Sequence, residues 1–226
     1  MTSKAEFTNS KLENSKGALF DFDHTLVTCC FSCAFGRFLY KKGLVSSVSA
    51  ISFLFFYGLY FCCLLSLKKL HQVAFYLFFY HKKADKYKEL VDVFLQSELH
   101  SLLRPSMVEE LERQKKEGTP CLLASSSPDF LVGPFAKKMG FDQFLATKYE
   151  IDSDGYFAKI GQVADAKNKL KWVQERSNLE QVVAYTDSIH DLALLQAVGH
   201  PVVVNPSHAL KKIAQKRAWQ IMEDRA

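Results

Sequence analysis

Short apolar runs that end in polar turns recur along the chain, and longer stretches of helical character separate them. Four of these runs predict buried strands, at residues 18–22, 120–124, 182–185 and 202–204. Apolar strands that alternate with helices are typical of a parallel sheet with helices on both faces. The expected fold class is therefore α/β.

Proline, glycine and serine mark where the helices are expected to begin and end. A helix at 105–117 fits a proline in its first turn and a glycine just past its end. Ser127 is expected to cap a helix that has Pro128 at its first position and closes at Gly140. Further elements are expected at 84–99 (helix), 154–155 (hairpin turn), within 159–176 (helix), up to 197 (helix) and at the C-terminus (basic helix).

The composition is that of a globular protein with a buried core. Of the 226 residues, 48% are hydrophobic and 23% are charged. The net charge of +5 is mild, and no basic run is interleaved with aromatic residues, so a nucleic-acid partner is not expected. The six cysteines lack the spaced pairs of a zinc site, which favours buried, reduced thiols. The polar lead-in at 1–16 has no apolar segment of a secretory signal, so a cytoplasmic location is expected.

Two carboxylates leave the first predicted strand at its polar turn. Asp21 can attack phosphorus and form an aspartyl-phosphate, while Asp23 can protonate the leaving oxygen and then activate water. Thr25 can orient the turn by hydrogen bonding. Most Asp-x-Asp pairs are solvated turns or caps, so it is the position after a buried strand that favours chemistry here.

Polar groups also follow two later strands. Ser125 offers a hydroxyl before a helix N-terminus, where free N–H groups bind phosphate; simple capping is the alternative, and Ser126 replaces Ser125 if the register differs. Asp187 and Asp191 would repel Asp21 unless a cation lies between them, which predicts a bound Mg²⁺. The alternative is that Asp187 only caps the next helix.

A lysine is expected to offset the phosphate charge and to hold Asp21 in place. Lys167 is the first choice, and Lys169 and Lys159 are the alternatives. Spacing alone does not separate them, because most helical lysines are solvated.

Together these residues resemble the haloacid dehalogenase (HAD) superfamily of phosphotransferases. Its four motifs are matched by Asp-Phe-Asp-His-Thr-Leu at 21–26, Leu-Leu-Ala-Ser-Ser-Ser-Pro-Asp-Phe at 122–130, Ala-Lys-Asn-Lys-Leu at 166–170 and Tyr-Thr-Asp-Ser-Ile-His-Asp at 185–191. The tail is similar to subfamily IB, the phosphoserine-phosphatase-like branch. The resemblance implies a Rossmann-like parallel sheet, the HAD fold, with an inserted helical cap. The expected division is a catalytic core at 1–28 and 90–226 and a cap at 29–89.

The resemblance also implies a role for each motif residue. Asp21 would be the nucleophile and a Mg²⁺ ligand, and Asp23 would be the general acid/base and would offer its backbone carbonyl to Mg²⁺. Asp187 would bind the metal directly. Asp191 would act through a water molecule or by contacting the residues that bind the metal. The residues expected to hold phosphate are Thr25, Ser125, Ser126 and Lys167.

Thr186 departs from the family pattern, and Asp23 indicates which reaction of the family to expect. Thr186 stands where the family usually has glycine before the fourth-motif aspartate, and threonine resists some backbone conformations. Asp23 is the second acid that dehalogenases of the superfamily lack, so its presence favours hydrolysis of a phosphoenzyme.

The expected cap is unusually poor in acidic residues. Residues 25–84 contain no Asp or Glu, and residues 44–67 carry no charge of either sign. The basic residues of this region are Arg37, Lys41, Lys42, Lys68, Lys69, Lys82 and Lys83.

The apolar segment 44–67 reaches the length of a transmembrane helix. A single span would, however, separate Asp21 from Ser125 and Asp187, and the next apolar run, 73–80, is too short to return across a core of about 30 Å. Two interpretations stay open. The segment is the core of a soluble cap, or it dips into or lies on an anionic membrane surface at the cytoplasmic face.

The missing acids also bear on the substrate. The ammonium of a phosphorylated amino acid would need a buried carboxylate, and the cap offers none before Asp85. A lipid or other apolar phosphate is therefore expected, such as phosphatidylglycerophosphate, on which some subfamily IB members with hydrophobic caps act. The alternatives are a small-metabolite phosphatase, or a non-catalytic membrane- or partner-binding module on the same fold.

Overall fold

The computed structural model describes residues 16–224. Residues 1–15, which include most of the polar lead-in and the start of the expected core, lie outside the described residues, as do residues 225–226.

The strands of the described chain form one parallel sheet and one small hairpin. In chain order they are β1 (Gly17–Asp21), β2 (Cys121–Pro128), β3 (Gln143–Thr147), β4 (Tyr149–Ile151), β5 (Phe157–Ile160), β6 (Val182–Thr186), β7 (His200–Val204) and β8 (Gln220–Met222). The parallel sheet has the order β3-β2-β1-β6-β7-β8, and β4 pairs with β5 in antiparallel fashion. The central strand β1 therefore lies between β2 and β6.

Helices connect the strands and make up the insertion between β1 and β2. They are α1 (Phe31–Lys41), α2 (Ser47–Phe61), α3 (Leu67–Phe78), α4 (Ala84–Ser97), α5 (Leu99–Leu102), α6 (Pro105–Lys116), α7 (Asp129–Met139), α8 (Ala166–Gln174), α9 (Leu192–Ala197) and α10 (His208–Lys216).

Alternating side chains along the strands fill a core on each face of the sheet. Phe20 of β1 and Leu123 of β2 join a large core that includes the buried aromatic residues of α1, α3 and α4. Their neighbours Leu19 and Leu122 point the other way and pack in a second core with Val173 of α8. Each fully buried side chain of this size contributes about 1.5–3 kcal/mol. The prediction of a parallel α/β sheet with helices on both faces is confirmed.

The inserted helices differ sharply in how deeply they are buried. Phe35 and Phe38 of α1 pack edge-on or tilted against Phe94 of α4, with ring centroids 5.4 and 5.5 Å apart. Helix α2 packs on α3, yet none of its residues is fully buried. The helical insertion matches the expected position of the cap, while its boundaries at 29 and 89 stay a prediction; α4 continues to Ser97.

Helix α2 is too short to cross a bilayer. Its 15 residues span about 22 Å at 1.5 Å per residue. Among residues 16–224, no helix has both the length and the apolar character that a membrane span requires.

Two local predictions are confirmed and three need correction. Gly140 closes α7 in the left-handed region, at φ 70°, and Gly155 turns the β4–β5 hairpin at φ 83°. Ser127 does not cap α7, because β2 continues through Pro128 and α7 begins at Asp129. The chain does not end in a helix either, because β8 follows α10 and Ile221 packs against the core beneath it. Within residues 16–224 none of the cysteines forms a disulfide; Cys121 is buried and Cys29, Cys30 and Cys33 are partly buried, so the expectation of buried thiols is wrong for Cys62 and Cys63, which are exposed.

Candidate active site

Three neighbouring strands deliver the motif residues to one edge of the sheet. Asp21 is the last residue of β1 and pairs in register with Ala124, so Ser125 follows directly on β2. Asp187 comes immediately after β6, the other neighbour of β1. Ligands of parallel α/β sheets bind at the carboxyl ends of the strands. The sequence prediction that these residues share an edge agrees with the observed topology.

The turn after β1 has a backbone that needs outside support. Asp23 is extended, and His24 adopts the left-handed region at φ 59°, which is uncommon for a residue other than glycine. Buried Arg104 donates from Nε to the carbonyl of Thr25 at 2.9 Å and from Nη2 to that of His24 at 3.0 Å. The outer side of the same guanidinium pairs with Asp224. Arg104 thus fixes the turn that carries Asp23.

Asp21 is buried and has a protein partner for each carboxylate oxygen. Oδ1 accepts from Lys169 Nζ at 2.7 Å, and Oδ2 lies 3.2 Å from Thr186 Oγ1. Burial raises the pKa of Asp21 to about 7; Lys169 opposes that rise, and the nearby Asp191 and Asp187 add to it. With these neighbours alone, Asp21 would be only partly ionised at pH 7. Additional positive charge beside it would favour the carboxylate form.

The lysine of the site is Lys169, not Lys167. Lys169 is buried and also reaches Asp191 Oδ2 at 3.0 Å, whereas Lys167 is exposed on α8 and Lys159 on β5 pairs with Glu150. The pKa of Lys169 is raised, because the attraction of the two carboxylates outweighs the opposing effect of burial. The choice of Lys167 is thus corrected in favour of an alternative that spacing could not rank.

Asp23 is bound to the start of the insertion and to the second motif. Its Oδ1 accepts from the backbone N–H of Phe31 at 2.6 Å, and its Oδ2 accepts from Ser127 Oγ at 3.1 Å. Ser127 Oγ in turn accepts from Ser32 Oγ at 2.8 Å. Burial raises the pKa of Asp23 despite these bonds. A raised pKa makes a carboxyl group a better proton donor than an ordinary aspartate.

Thr25 holds Asp187 and is not placed to bind phosphate. Its buried hydroxyl donates to Asp187 Oδ1 and accepts from the Asp187 N–H, both at 3.0 Å. The bond to Oδ1 uses the only proton of the hydroxyl, and both bonds join the first motif to the fourth. The orienting role expected for Thr25 agrees with this geometry, and its assignment to phosphate is corrected.

The three serines of β2 have three different surroundings. Ser125 is buried and its Oγ accepts from the N–H of Ser127 at 3.0 Å, which leaves its own proton available. The carbonyl of Ser126 accepts from Thr147 Oγ1 at 2.6 Å, and Ser127 binds Asp23 as described. Ser125 and Ser126 remain the predicted phosphate-binding pair, while the structure adds Ser127 as a contact of the acid/base.

Thr186 joins two carboxylates of the site. Besides the 3.2 Å contact with Asp21, its Oγ1 lies 3.1 Å from Asp191 Oδ2 and accepts from the Ser188 N–H at 3.1 Å. The strand accommodates it without strain, since Thr186 ends β6 in extended conformation. The departure from glycine therefore adds a hydroxyl between Asp21 and Asp191.

The oxygen atoms around Asp21 are of the kind that Mg²⁺ prefers. Magnesium is commonly bound by one or two carboxylates, with water and phosphate completing the shell. Within the described residues, no three His, Cys, Asp or Glu side chains gather into a cluster that could hold a metal ion. The residues that fit are Asp21, Asp187 and the carbonyl of Asp23. Asp191 is 2% exposed and faces Lys169 and Thr186, so it lies behind them.

Helix α2 carries two partly buried tyrosines, Tyr57 and Tyr60. The pKa of Tyr57 is raised by burial, by Cys30 and Cys33, and by Asp23. That of Tyr60 is raised by burial, and the charge of Lys169 reaches it. Tyr57 also forms a side-chain hydrogen bond with Cys33 of α1, so α2 contacts the start of the insertion.

Sequence reasoning missed Arg104 and Ser127. Arg104 lies far from every motif, and the only signal is its position before Pro105 at the start of α6. Ser127 was assigned to the helix cap. Its role depends on the extra length of β2, which no local pattern indicated.

A model of the haloacid dehalogenase-like hydrolase family matches residues 18–196. This match spans every motif of the site. The chain belongs to the haloacid dehalogenase-like hydrolase family. The resemblance seen in the four motifs is thereby confirmed, and the expected enzyme class, a hydrolase of this family, is confirmed with it.

Curated relatives are similar over different portions of the chain. A protein of Mycobacterium tuberculosis named as a probable phosphatase is 31% identical over 133 residues, which are 55% of this chain and 46% of that protein. The match thus spans about half the length of that relative. A histidinol-phosphatase of Neisseria meningitidis serogroup C is 26% identical over 91% of this chain and 97% of its own length.

Solved structures share the fold. A protein of unknown function from Bordetella pertussis superposes with a TM-score of 0.79 at 22% identity, covering 92% of this chain and 98% of that one. A substrate-bound phosphoserine phosphatase superposes with a TM-score of 0.67 at 18% identity, covering 94% and 95%. At these identities the likeness shows the fold.

Proposed function

We propose that this HAD hydrolase is a Mg²⁺-dependent phosphomonoester hydrolase that works through a covalent aspartyl-phosphate on Asp21. The observation that carries the proposal is the setting of Asp21, at the end of the central strand, with Lys169 on one oxygen and Thr186 on the other. Two relatives of this chain, from Mycobacterium tuberculosis and Neisseria meningitidis, are named as phosphatases, which supports the reaction class.

The residues divide the reaction between them. A carboxylate oxygen of Asp21 attacks phosphorus, the bond to the leaving oxygen breaks, and Asp23 gives its proton to that oxygen. Water then attacks phosphorus, Asp23 takes a proton from that water, and the bond between phosphorus and Asp21 breaks to release phosphate. Lys169 and the Ser125 hydroxyl balance and bind the phosphoryl oxygens. Magnesium, held by Asp21, Asp187 and the Asp23 carbonyl, would supply neutralisation of phosphoryl charge.

For this chemistry the carboxyl group of Asp23 must face the substrate. The hydrogen bonds that Asp23 makes determine which segments would move with it. Its partners are the N–H of Phe31, at the first residue of α1, and Ser127 Oγ. The acid/base is therefore linked to the start of the insertion, and a shift of α1 would change its orientation. This link supports a cap that closes over bound substrate.

For the substrate we propose a lipid or other apolar phosphomonoester, such as phosphatidylglycerophosphate. The supporting observations are the lack of acidic residues at 25–84 and the apolar, aromatic surface that α2 exposes on the insertion. A cap without a carboxylate would leave a substrate ammonium that it covers unpaired. Attachment to the cytoplasmic face of a membrane would follow from such a substrate.

A small-metabolite phosphatase is the second candidate. It is supported by the relative named histidinol-phosphatase, whose length this chain matches almost completely. A screen that sets phosphatidylglycerophosphate beside histidinol phosphate and phosphoserine separates the two candidates. The lipid proposal requires the largest kcat/KM for the lipid, and a preference for either amine substrate would reject it.

The reaction class is tested by phosphate release from an aryl phosphate. We expect turnover that requires Mg²⁺ and is lost by at least about a thousandfold in Asp21→Asn, which keeps the shape but removes the nucleophile. Turnover that survives chelation of divalent cations, or that survives Asp21→Asn, would reject the proposal. If folded protein releases no phosphate from the aryl ester or from any compound of the screen, the non-catalytic alternative is favoured.

A further inference from the structure

Helix α2 exposes apolar side chains that the rest of the described chain leaves uncovered. Ile51 is 67% exposed, Phe55 is 63% exposed, and Phe61 at the end of the helix is 81% exposed. A helix that is hydrophobic all round is normally buried in a large core or in a membrane, and contiguous apolar surface of this kind marks an interaction site.

The exposed residues form a stripe and not a scatter. They follow one another at helical spacing, since residues three and four apart share a face. The stripe continues past the helix end into the turn that leads to α3. Its members are Val48, Ile51, Leu54, Phe55, Phe61 and Leu64.

Basic residues without acidic neighbours flank the stripe. Lys68 and Lys69 lie in the first turn of α3, next to the end of α2, and both are exposed. Lys41 and Lys42 precede α2, and residues 25–84 contain no Asp or Glu that could pair with any of them. Apolar side chains bordered by unpaired lysines complement a surface with hydrocarbon below and negative charge above.

We propose that the hairpin of α2 and α3, residues 47–78, is a docking surface for an anionic lipid bilayer. The helix lies in the interface and buries its apolar stripe among the acyl chains, while the lysines contact anionic headgroups. This docking surface deepens the proposed function and rests on it, because a lipid substrate would be taken from the bilayer to which the hairpin binds.

The same helix also contacts the start of the insertion. Its other face carries Tyr57 and Tyr60, which are partly buried, and Tyr57 forms a side-chain hydrogen bond with Cys33 of α1. Between α2 and α3 runs an open, mainly apolar groove of about 550 Å³, with Phe56, Val73 and Leu77 on its walls and Lys69 at its edge. An acyl chain could lie in such a groove, with its negatively charged end at Lys69.

The test is sedimentation of the full chain with vesicles, which needs no turnover. The probes are vesicles of phosphatidylcholine alone and of phosphatidylcholine mixed with phosphatidylglycerol, at low and at high salt. We expect binding to the anionic vesicles, weaker binding at high salt, and little binding to the neutral ones.

Two pairs of variants assign the binding to the hairpin. Ile51→Ser with Phe55→Ser should lower vesicle binding at least about tenfold, while Val93→Ser, at an exposed apolar position of α4, should not. Lys68→Gln with Lys69→Gln should weaken binding to anionic vesicles, while Lys137→Gln with Lys138→Gln, an exposed pair on α7, should not. Far-ultraviolet circular dichroism confirms that each variant is folded.

Failure of this inference is separable from failure of the proposed function. A chain that releases phosphate from an aryl ester but ignores anionic vesicles overturns the docking surface and leaves the chemistry intact. Equal binding by the Ile51→Ser/Phe55→Ser variant also overturns it. A dimer that the same substitutions dissociate, in a chain that ignores vesicles, would assign the stripe to a second copy of the chain instead.

Discussion

The ammonium of Lys169 lies 2.7 Å from Oδ1 of Asp21, and both side chains are largely buried. Asp191 Oδ2 lies 3.0 Å from the same nitrogen, so one lysine faces two carboxylates. Burial alone would drive these groups toward their neutral forms, and their mutual attraction opposes it. This arrangement holds the nucleophile at the end of β1 and supplies part of the positive charge that an incoming phosphate requires.

Replacing Lys169 by methionine should abolish most of the activity. The variant leaves Asp21 and Asp191 facing each other without a cation, so we expect turnover of an aryl phosphate to fall at least about a hundredfold. Losing one member of a buried charge network should also lower the free energy of unfolding by about 3–5 kcal/mol. Lys167→Met is the matched control, two residues away and exposed, and should keep nearly full activity and stability. Equal loss in both variants would contradict the assignment.

The hydroxyl of Thr186 is expected to matter more than the side chain's shape. Thr186→Val keeps the branched shape but removes the Oγ1 contacts with Asp21 and Asp191. We expect kcat to fall about tenfold, in line with the 1–3 kcal/mol cost of an unsatisfied buried group. Thr186→Ser retains the hydroxyl and should stay within about threefold of the wild type. Full activity of the valine variant would show that the hydroxyl is not used.

Stability should fall at acidic pH because of His71. This histidine of α3 is buried, lies 3.3 Å from Tyr149 Oη through Nδ1, and contacts the backbone of Ser126. Burial lowers its pKa to about 4, whereas the unfolded chain titrates near 6.5. The unfolded state therefore binds the proton first, so the contribution of neutral His71 is full above pH 6.5 and is lost as the pH falls toward 4. The loss is up to about 3 kcal/mol.

Denaturant unfolding between pH 7 and 4 measures this effect. His71→Phe keeps a ring but cannot titrate, and its stability should depend less steeply on pH over that window. His100→Phe, at an exposed position of α5, should leave the pH dependence of the wild type. Parallel profiles for the wild type and His71→Phe would refute the assignment.

Gly199 should not tolerate a side chain. A Cβ at this position would lie 1.9 Å from the carbonyl oxygen of Glu180, and Gly199 N–H donates to the Leu179 carbonyl at 2.8 Å, so the two backbones are held together. We expect Gly199→Ala to cost about 3 kcal/mol of unfolding free energy. Gly36→Ala in α1 meets no atom within 4 Å and should instead stabilise by about 0.5–1 kcal/mol. Chemical denaturation of both variants provides the comparison.

The sheet could be predicted because its signal is local. Alternating apolar side chains such as Leu19 and Phe20 mark a strand buried on both faces, and the polar residue that follows marks its carboxyl end. The strand order placed β2 and β6 beside β1, which brought Ser125 and Asp187 to Asp21. β8 was missed because it is a three-residue edge strand, Gln220–Met222, with no apolar run of its own.

The choice of lysine shows where sequence pattern stopped being sufficient. Two residues along a helix are separated by about 200° around its axis, so Lys167 and Lys169 point in opposite directions. The side that faces the sheet is set by packing, and buried Val173, four residues after Lys169, lies on that side. That apolar neighbour was the available signal. Arg104 had none, because its contacts with the catalytic turn join segments 79 and 80 residues apart.

Covalent labelling tests the central claim, that Asp21 carries the phosphoryl group, most directly. The substrate is a phosphomonoester with a good leaving group and labelled phosphorus, the reaction is quenched in acid, and label on the protein is located by peptide mapping. We predict that Asp23→Asn, which lacks the base for the second step, accumulates label on the peptide containing Asp21, and that Asp21→Asn carries none. Phosphate release by the wild type with no label on any variant, or label on another residue, would contradict the account.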